Sequence, residues 1–258
     1  MASKAYFRTA TVTVILLLAF ALSVAAGTYP TLADQWNAGL QKVDQSLREK
    51  DWKAASKEGR KVAYRIAETA GSGEGAAYSL AVASALRAIA AAGMGDADDA
   101  AWHWDVALNL FPDVAKTKVS VYGPAAEELK KRKLRDPGSN VEDQLAAAQA
   151  HRPGPIALDP RDEKNKAVTP PRIVKQPRPE YPKALALQGA TGLLVVSTII
   201  YEDGRPRDPV VLDFKGGGPA MKYVALDSLN DWRFEPATLD GKPVAVFYVL
   251  SVNFKAKG

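Results

Sequence analysis

The sequence predicts an α+β protein in three parts. An N-terminal helical array is followed by a proline-rich linker and a small C-terminal domain with a three-stranded antiparallel sheet and two helices. Three observations predict it. Between Thr31 and about Ala150, apolar residues recur at three- and four-residue steps, the period of one helix face. Eight of the seventeen prolines fall between Pro153 and Pro182. Beyond them come apolar, β-branched runs separated by turn signals, as strands require. The boundaries read 1–26 for an export segment, 31–150 for the helices, 151–178 for the linker and 179–258 for the last domain.

Lys4 and Arg8 precede an apolar run, Val12 to Ala26, that ends Val24-Ala25-Ala26-Gly27. A basic start, a short apolar middle and small exit residues describe a secretory signal peptide. The run also lies near the lower limit for crossing a bilayer, roughly 17–25 residues, so an uncleaved inner-membrane anchor stays open. Either way the bulk of the protein is expected to be exported. The formal charge of +5 falls to +3 without Lys4 and Arg8, too little for a polybasic nucleic-acid surface. Cysteine is absent, which removes disulfides, thiol nucleophiles and lipoprotein acylation together.

Leu32, Trp36, Leu40, Val43 and Leu47 line one helix face, and Trp52, Ala55, Gly59, Val62, Ala63 and Ile66 line a second. Gly71-Ser72-Gly73 breaks the chain. Ala76 to Ala92 is almost all small residues, so a partner helix can approach closely. Ala100, Trp104, Ala107, Leu108 and Pro112 resemble the second half of a tetratricopeptide repeat. The array is therefore read as divergent and tetratricopeptide-like, with about two helix pairs. Such arrays need roughly three repeats when they stand alone, so flanking helices must cap it. Pro124 to Arg135, stopped by Asp136-Pro137, supplies one. A further helix starts at Asn140 and Asp143 and runs to about Ala150. Arg152 to Arg178 mixes both charges with little apolar repeat, so it is expected to stay an unfolded, semi-rigid spacer.

Gly192 to Glu202 reads as a strand covered on both faces. Asp203-Gly204 turns it into a second strand near Val210 to Leu212. Gly216-Gly217-Gly218 lacks the Lys-Ser/Thr of a phosphate loop and reads as a strand-to-helix turn. Met221, Val224, Ala225, Leu229 and Trp232 share one face of the next helix. Trp232 and Phe234 straddle its exit, with the size to plug a helix–sheet seam, and Pro236 ends regular structure. In the last strand Val244, Val246, Tyr248, Leu250, Val252 and Phe254 alternate onto one face. Ala245, Phe247, Val249, Ser251 and Asn253 take the other.

The ordered set Tyr181-Pro182 with Ala184, Gly192, Asp203-Gly204, Val210 to Leu212, Trp232-Arg233-Phe234 with Pro236-Ala237, Gly241-Lys242-Pro243-Val244 and Phe254 resembles the C-terminal domain of the TonB family of periplasmic energy transducers. The resemblance begins near Pro170. It implies a periplasmic binding domain of the Gram-negative envelope. The domain's last strand would pair with an extended peptide from an outer-membrane receptor, with Arg178-Pro179-Glu180 as a further contact zone. The partner-binding residues it implies are Arg178, Pro179, Val244, Val246, Phe247, Tyr248, Val249, Ser251 and Asn253. A protected edge or a homodimer seam is the plainer reading of that strand. The family's polar Ser and His in the anchor couple to an inner-membrane motor. Here Ser23 is present without a histidine, the spacer is short, and Lys215-Gly216-Gly217-Gly218 replaces the usual Ser/Gly turn. A scaffold with no transport role therefore stands beside the transducer.

No catalytic site, cofactor or metal is expected. His103 sits between Trp102 and Trp104, and His151 beside the prolines; neither has a second ligand at metal spacing. Asp98-Asp99 and Glu127-Glu128 read as solvated helix faces.

Overall fold

A computed structural model describes residues 31–70, 74–136, 138, 143, 146–147, 156–157, 165 and 167–255. The export segment 1–26, the Gly71-Ser72-Gly73 break, most of the helix expected from Asn140, His151 and much of the linker lie outside them. Four long helices come first: α1 Leu32–Arg48, α2 Trp52–Thr69, α3 Glu74–Gly93 and α4 Ala97–Leu110. Their starts are written in the sequence. Thr31 and Asp34 form a reciprocal capping box, Thr31 Oγ1 accepting from Asp34 N (3.2 Å) and Asp34 Oδ2 accepting from Thr31 N (2.9 Å). Asp51 and Asp96 each accept from the amide three residues on, at 3.0 Å.

Helix α3 is the hub, packed against α1, α2 and α4. Its small side chains let neighbours in. At Gly93 a Cβ would lie 2.3 Å from Trp52 Cδ2, so the indole occupies the space a side chain would fill. The helix is long and apolar enough to cross a membrane, but most of that surface is buried inside the protein. Two 3₁₀ turns, Pro112–Lys116 and Ser120–Tyr122, lead to a short α5, Pro124–Leu129. The helix expected to reach Arg135 stops six residues early. Residues 132–135 instead run to the sheet, where Arg132 and Arg135 find acceptors that a helix would have turned them away from.

The C-terminal part holds α6 Lys183–Leu187, β4 Gly192–Ile200, β5 Pro206–Gly216, α7 Gly218–Leu229 and β8 Lys242–Phe254. The three long strands pair antiparallel, with β4 between β5 and β8. Strand β5 is far longer than the three residues read from sequence. Two register shifts against β4 let it bulge, one at Leu212 and one at Asp208-Pro209, where Asp208 has φ 53°.

The sheet is larger than three strands, because the proline-rich stretch contributes to it. β1 Ile156–Ala157 pairs parallel with Ala245 and Val246 of β8. β2 Val168–Thr169 pairs with β7 Ala237–Leu239, which hairpins onto the start of β8. β3 Arg172–Lys175 and β6 Arg233–Glu235 form a separate ribbon. The expectation of an unfolded spacer rested on side-chain burial. Strand pairing uses main-chain groups, so a segment poor in apolar residues can still be held at a sheet margin. Pro236, expected to end regular structure, separates β6 from β7.

One core runs through both halves, from Val43 of α1 to Phe254 of β8. Helix α7 is the reason. Its predicted face (Met221, Val224, Ala225, Leu229) meets the sheet side. Its other face (Tyr223, Leu226, Asp227) is also buried, beneath α2, α3 and α4. The helical array is docked on the last domain rather than held away from it.

Candidate functional site: a sheet edge beside a docked helical array

The two margins of the sheet differ. At β5, Asn109 of α4 closes the ladder with its side chain: Nδ2 donates to Pro209 O (2.8 Å) and Oδ1 accepts from Val211 N (2.9 Å). One amide thus stands in for a neighbouring strand. Asn109→Ala should cost about 1–3 kcal/mol, because two main-chain groups lose their partners. The variant should also self-associate through β5, which size-exclusion chromatography with light scattering would register.

At β8 the situation is reversed. Residues Val246 to Phe254 pair with β4 on one side, and β7 and β1 account for the positions before Phe247. From Phe247 onward the side away from β4 has no strand against it among the described residues. The turn after β4 tells which groups point there. Tyr201 N donates to Arg205 O (3.0 Å) and Gly204 N to Tyr201 O (2.9 Å), so Tyr201 faces β5. Main-chain groups alternate sides along an antiparallel strand. Ile199 and Ser197 therefore face β5 as well, and Thr198 and Val196 face β8. Opposite Thr198 stands Tyr248, and opposite Ser197 stands Val249. Tyr248 accordingly bonds to β4, while the N–H and C=O of Phe247, Val249, Ser251 and Asn253 point to the open side.

This sorts the residues singled out from sequence. Val246 and Tyr248 hydrogen-bond within the sheet, and Val244 sits in the hairpin opposite Ala237. The Tyr248 ring meets Phe234 edge-on at 5.8 Å. Phe247 is buried with Ile199 and Ala245, under the Arg135 guanidinium at 4.9 Å. Val249 is half-buried; Ser251 and Asn253 are exposed. Arg178 is exposed, Pro179 half-buried and Pro182 buried, and the Tyr181 ring rests edge-on against Phe254 at 5.6 Å. Trp232 and Phe234 lie together at 6.4 Å, and Trp232 Nε1 donates to Pro177 O at 3.2 Å, which ties the proline segment to the domain. Gly192 packs on Met221, and Asp203 accepts from Arg205 N (3.0 Å) in the Gly204 turn.

The interface between array and domain escaped sequence reading. Arg87 Nη1 donates to Asp227 Oδ1 (2.5 Å) and to the Tyr223 hydroxyl (2.8 Å), and the Tyr64 hydroxyl donates to Asp227 Oδ2 (2.9 Å). Burial alone would raise the Asp227 carboxyl, but the Arg87 guanidinium beside it holds it below the usual carboxylate range. Trp102 Nε1 donates to Leu226 O (3.2 Å) and Asn230 Nδ2 to Asp99 Oδ1 (2.7 Å). Arg207 bridges Asp98 and Asp203. Asp98-Asp99, read as a solvated face, are thus interface residues. His103 is buried with Nε2 3.4 Å from Asp99 Oδ2. A signal for the central pair did exist. Arg87 is the lone cation of α3 and Asp227 the lone acid of α7.

A second knot joins Arg132 to Asp105 Oδ2 (2.7 Å) and Asp208 Oδ1 (2.8 Å), with Arg135 Nη2 donating to Asp208 O (2.7 Å). Burial pushes the Asp105 carboxyl up to about 6, against the pull of Arg132. The folded protein therefore binds this proton more tightly than the unfolded chain does. The contribution is complete below an unfolded value near 3.8 and is lost as pH rises through about 6. Asp105→Asn removes the titration. Relative to that variant, the wild type should lose about 3 kcal/mol between pH 4 and 7 in urea unfolding.

Residues 177–256 match the family described as Gram-negative bacterial TonB protein C-terminal. The C-terminal domain is TonB-like. A similar protein is Protein TonB of Vibrio cholerae serotype O1, 26% identical over 122 residues. That alignment spans 47% of this chain and 46% of the relative, so the chain covers about half the length of the curated protein it matches. The TonB-like domain thus comprises β4, β5, α7 and β8 with α6, β6, β7 and the Tyr181-Pro182 segment. Its open β8 edge is the margin that the docked array leaves uncovered.

Proposed function

We propose that the TonB-like domain binds an extended segment of a second protein as an added strand along β8. The single observation carrying this reading is the uncovered side of Phe247 to Asn253, set against a β5 margin that Asn109 closes at Pro209 and Val211. Main-chain hydrogen bonds would supply affinity, and side chains flanking the edge would supply selectivity. The exposed Arg178, just ahead of Tyr181-Pro182, gives a cationic contact outside the sheet. The task is binding, with no catalytic role. The protein is exported to the periplasm by residues 1–26, cleaved or retained as an inner-membrane anchor. Its partner is the periplasm-facing segment of an outer-membrane receptor or another periplasmic protein, and its tetratricopeptide-like helices engage a further protein.

Two versions follow. In the first, a retained anchor meets an inner-membrane motor and the protein transduces energy for receptor-dependent transport. In the second it is a periplasmic scaffold. The docked array favours the second, since the C-terminal domain is fastened to its own helices through Arg87–Asp227 rather than carried at the end of a spacer.

The test is a titration of the chain with receptor-derived periplasmic peptides, following the amides of Phe247 to Asn253 by NMR. Val249→Pro should weaken binding at least about tenfold and leave the unfolding midpoint nearly unchanged, since it removes a donor facing outward at an edge. Tyr248→Pro, which removes a donor to β4, should instead unfold the domain. Shifts confined to other surfaces, or full binding by Val249→Pro, would sink the strand-addition reading. A concentration-dependent dimer lost in Val249→Pro would identify a second copy as the occupant.

A further inference from the structure

A cleft of about 730 Å³ lies between α2 and the TonB-like domain, and no residue of β8 lines it. That volume is in the range of ligand sites, roughly 300–1,000 Å³. One wall is cationic. Lys53, Lys57 and Arg60 follow at four- and three-residue steps on α2, which puts them on one side of the helix. Among the described residues none of the three is in an ion pair. Glu58, the acid within that stretch, is taken by Lys61 at 3.2 Å. The opposite wall carries Glu180 and Asp231; Asp99 and Asp227 also line the cleft, but they are held by Asn230 and Arg87. Between the walls lies Arg87, 8% exposed, whose Nε has no hydrogen-bond partner.

Each wall excludes something. Lys53 and Lys57, outside any ion pair among the described residues, attract carboxylates or phosphates, and Arg60, over the Tyr64 ring at 5.7 Å and in the field of Asp227, adds to them. Glu180 and Asp231 repel a ligand that is anionic throughout, such as a polyphosphate. Met94 is the one aliphatic side chain of the lining, and the charged heads of Lys53, Lys57, Arg60, Glu180 and Asp231 leave an acyl chain no continuous apolar groove. A peptide meets both walls at once. Its carboxylates suit α2, and its main-chain N–H groups or a cationic side chain suit Glu180 and Asp231. We propose that this cleft binds an acidic peptide segment of mixed charge, at a site independent of the β8 edge.

The probe is the N-acetylated peptide Glu-Asp-Glu-Asp-Gly-Lys, titrated calorimetrically into the full chain. Saturable binding that weakens with salt is expected. The double variant Lys57→Glu/Arg60→Glu should lose at least about tenfold in affinity. Lys57→Gln/Arg60→Gln gives the same reading should charge reversal disturb the fold. Glu180→Gln should narrow the preference for the peptide over tripolyphosphate. Val249→Pro should bind the peptide as the wild type does, which separates this site from strand addition. Unchanged affinity in both double variants, or no saturation by about 1 mM peptide, would overturn the proposal. So would tighter binding of tripolyphosphate or of phosphatidylglycerol vesicles than of the peptide.

Discussion

Asp227→Ala should destabilise the protein by about 3–5 kcal/mol, because it strands the Arg87 guanidinium in the interior without its counter-charge. The Tyr64 hydroxyl loses its acceptor as well. The effect should be felt on both sides of the interface. Amides of α2 and α3 and those of α7 should lose hydrogen-exchange protection together, since one core spans them. The double variant Arg87→Leu/Asp227→Leu should recover most of the loss, because replacing a buried pair by apolar residues is often neutral. Urea unfolding of the three proteins checks this. A single variant within about 1 kcal/mol of wild type would mean that the pair is solvated and the array only loosely docked.

The second large effect is expected at Gly204→Ala. Gly204 has φ 75°, and a Cβ there would lie 1.9 Å from Phe234 O and 3.0 Å from Phe234 C. Both are main-chain atoms of β6, so relief requires moving a strand. The Gly204 carbonyl also accepts from Phe234 N at 2.9 Å, a bond that such a move would lengthen. A left-handed alanine costs about 1–2 kcal/mol, and overpacking adds about 1–3 kcal/mol. Gly241→Ala is the control. Its φ is 74° but nothing lies within 4 Å, so it should show the conformational cost alone. Thermal melts should place Gly204→Ala well below Gly241→Ala, and equal midpoints would refute the steric account.

Much of the local structure was legible because its causes are local. Thr31 with Asp34, Asp51 and Asp96 announce helix starts through main-chain donors within three residues. Asp203-Gly204 announces its turn through a backbone angle that glycine adopts freely. The two-residue alternation of Val244 to Phe254 announces the strand. Other features depend on distant partners. The bulged length of β5 depends on Arg132, Arg135 and Asn109 reaching it from the helices. The strands drawn from the proline-rich stretch depend on where β7 and β8 leave main-chain groups unpaired.

The candidate site divides the same way. That the last strand could carry a docking edge was readable from its pattern and its family resemblance. Which of its residues face outward was not, because alternation fixes a residue's side only once the strand opposite is known. By itself the sequence determined the four long helices, the strands β4 and β8, the TonB-like character of the last domain and the lack of cysteine chemistry. Tertiary structure alone decided that the helical array sits on α7, that Asn109 caps β5 at Pro209 and Val211 while β8 stays open beyond Val246, and that Arg87 meets Asp227. Periodicity and caps act over a few residues, whereas burial of a second helix face and pairing of two lone charges need surfaces more than a hundred residues apart in the chain to meet.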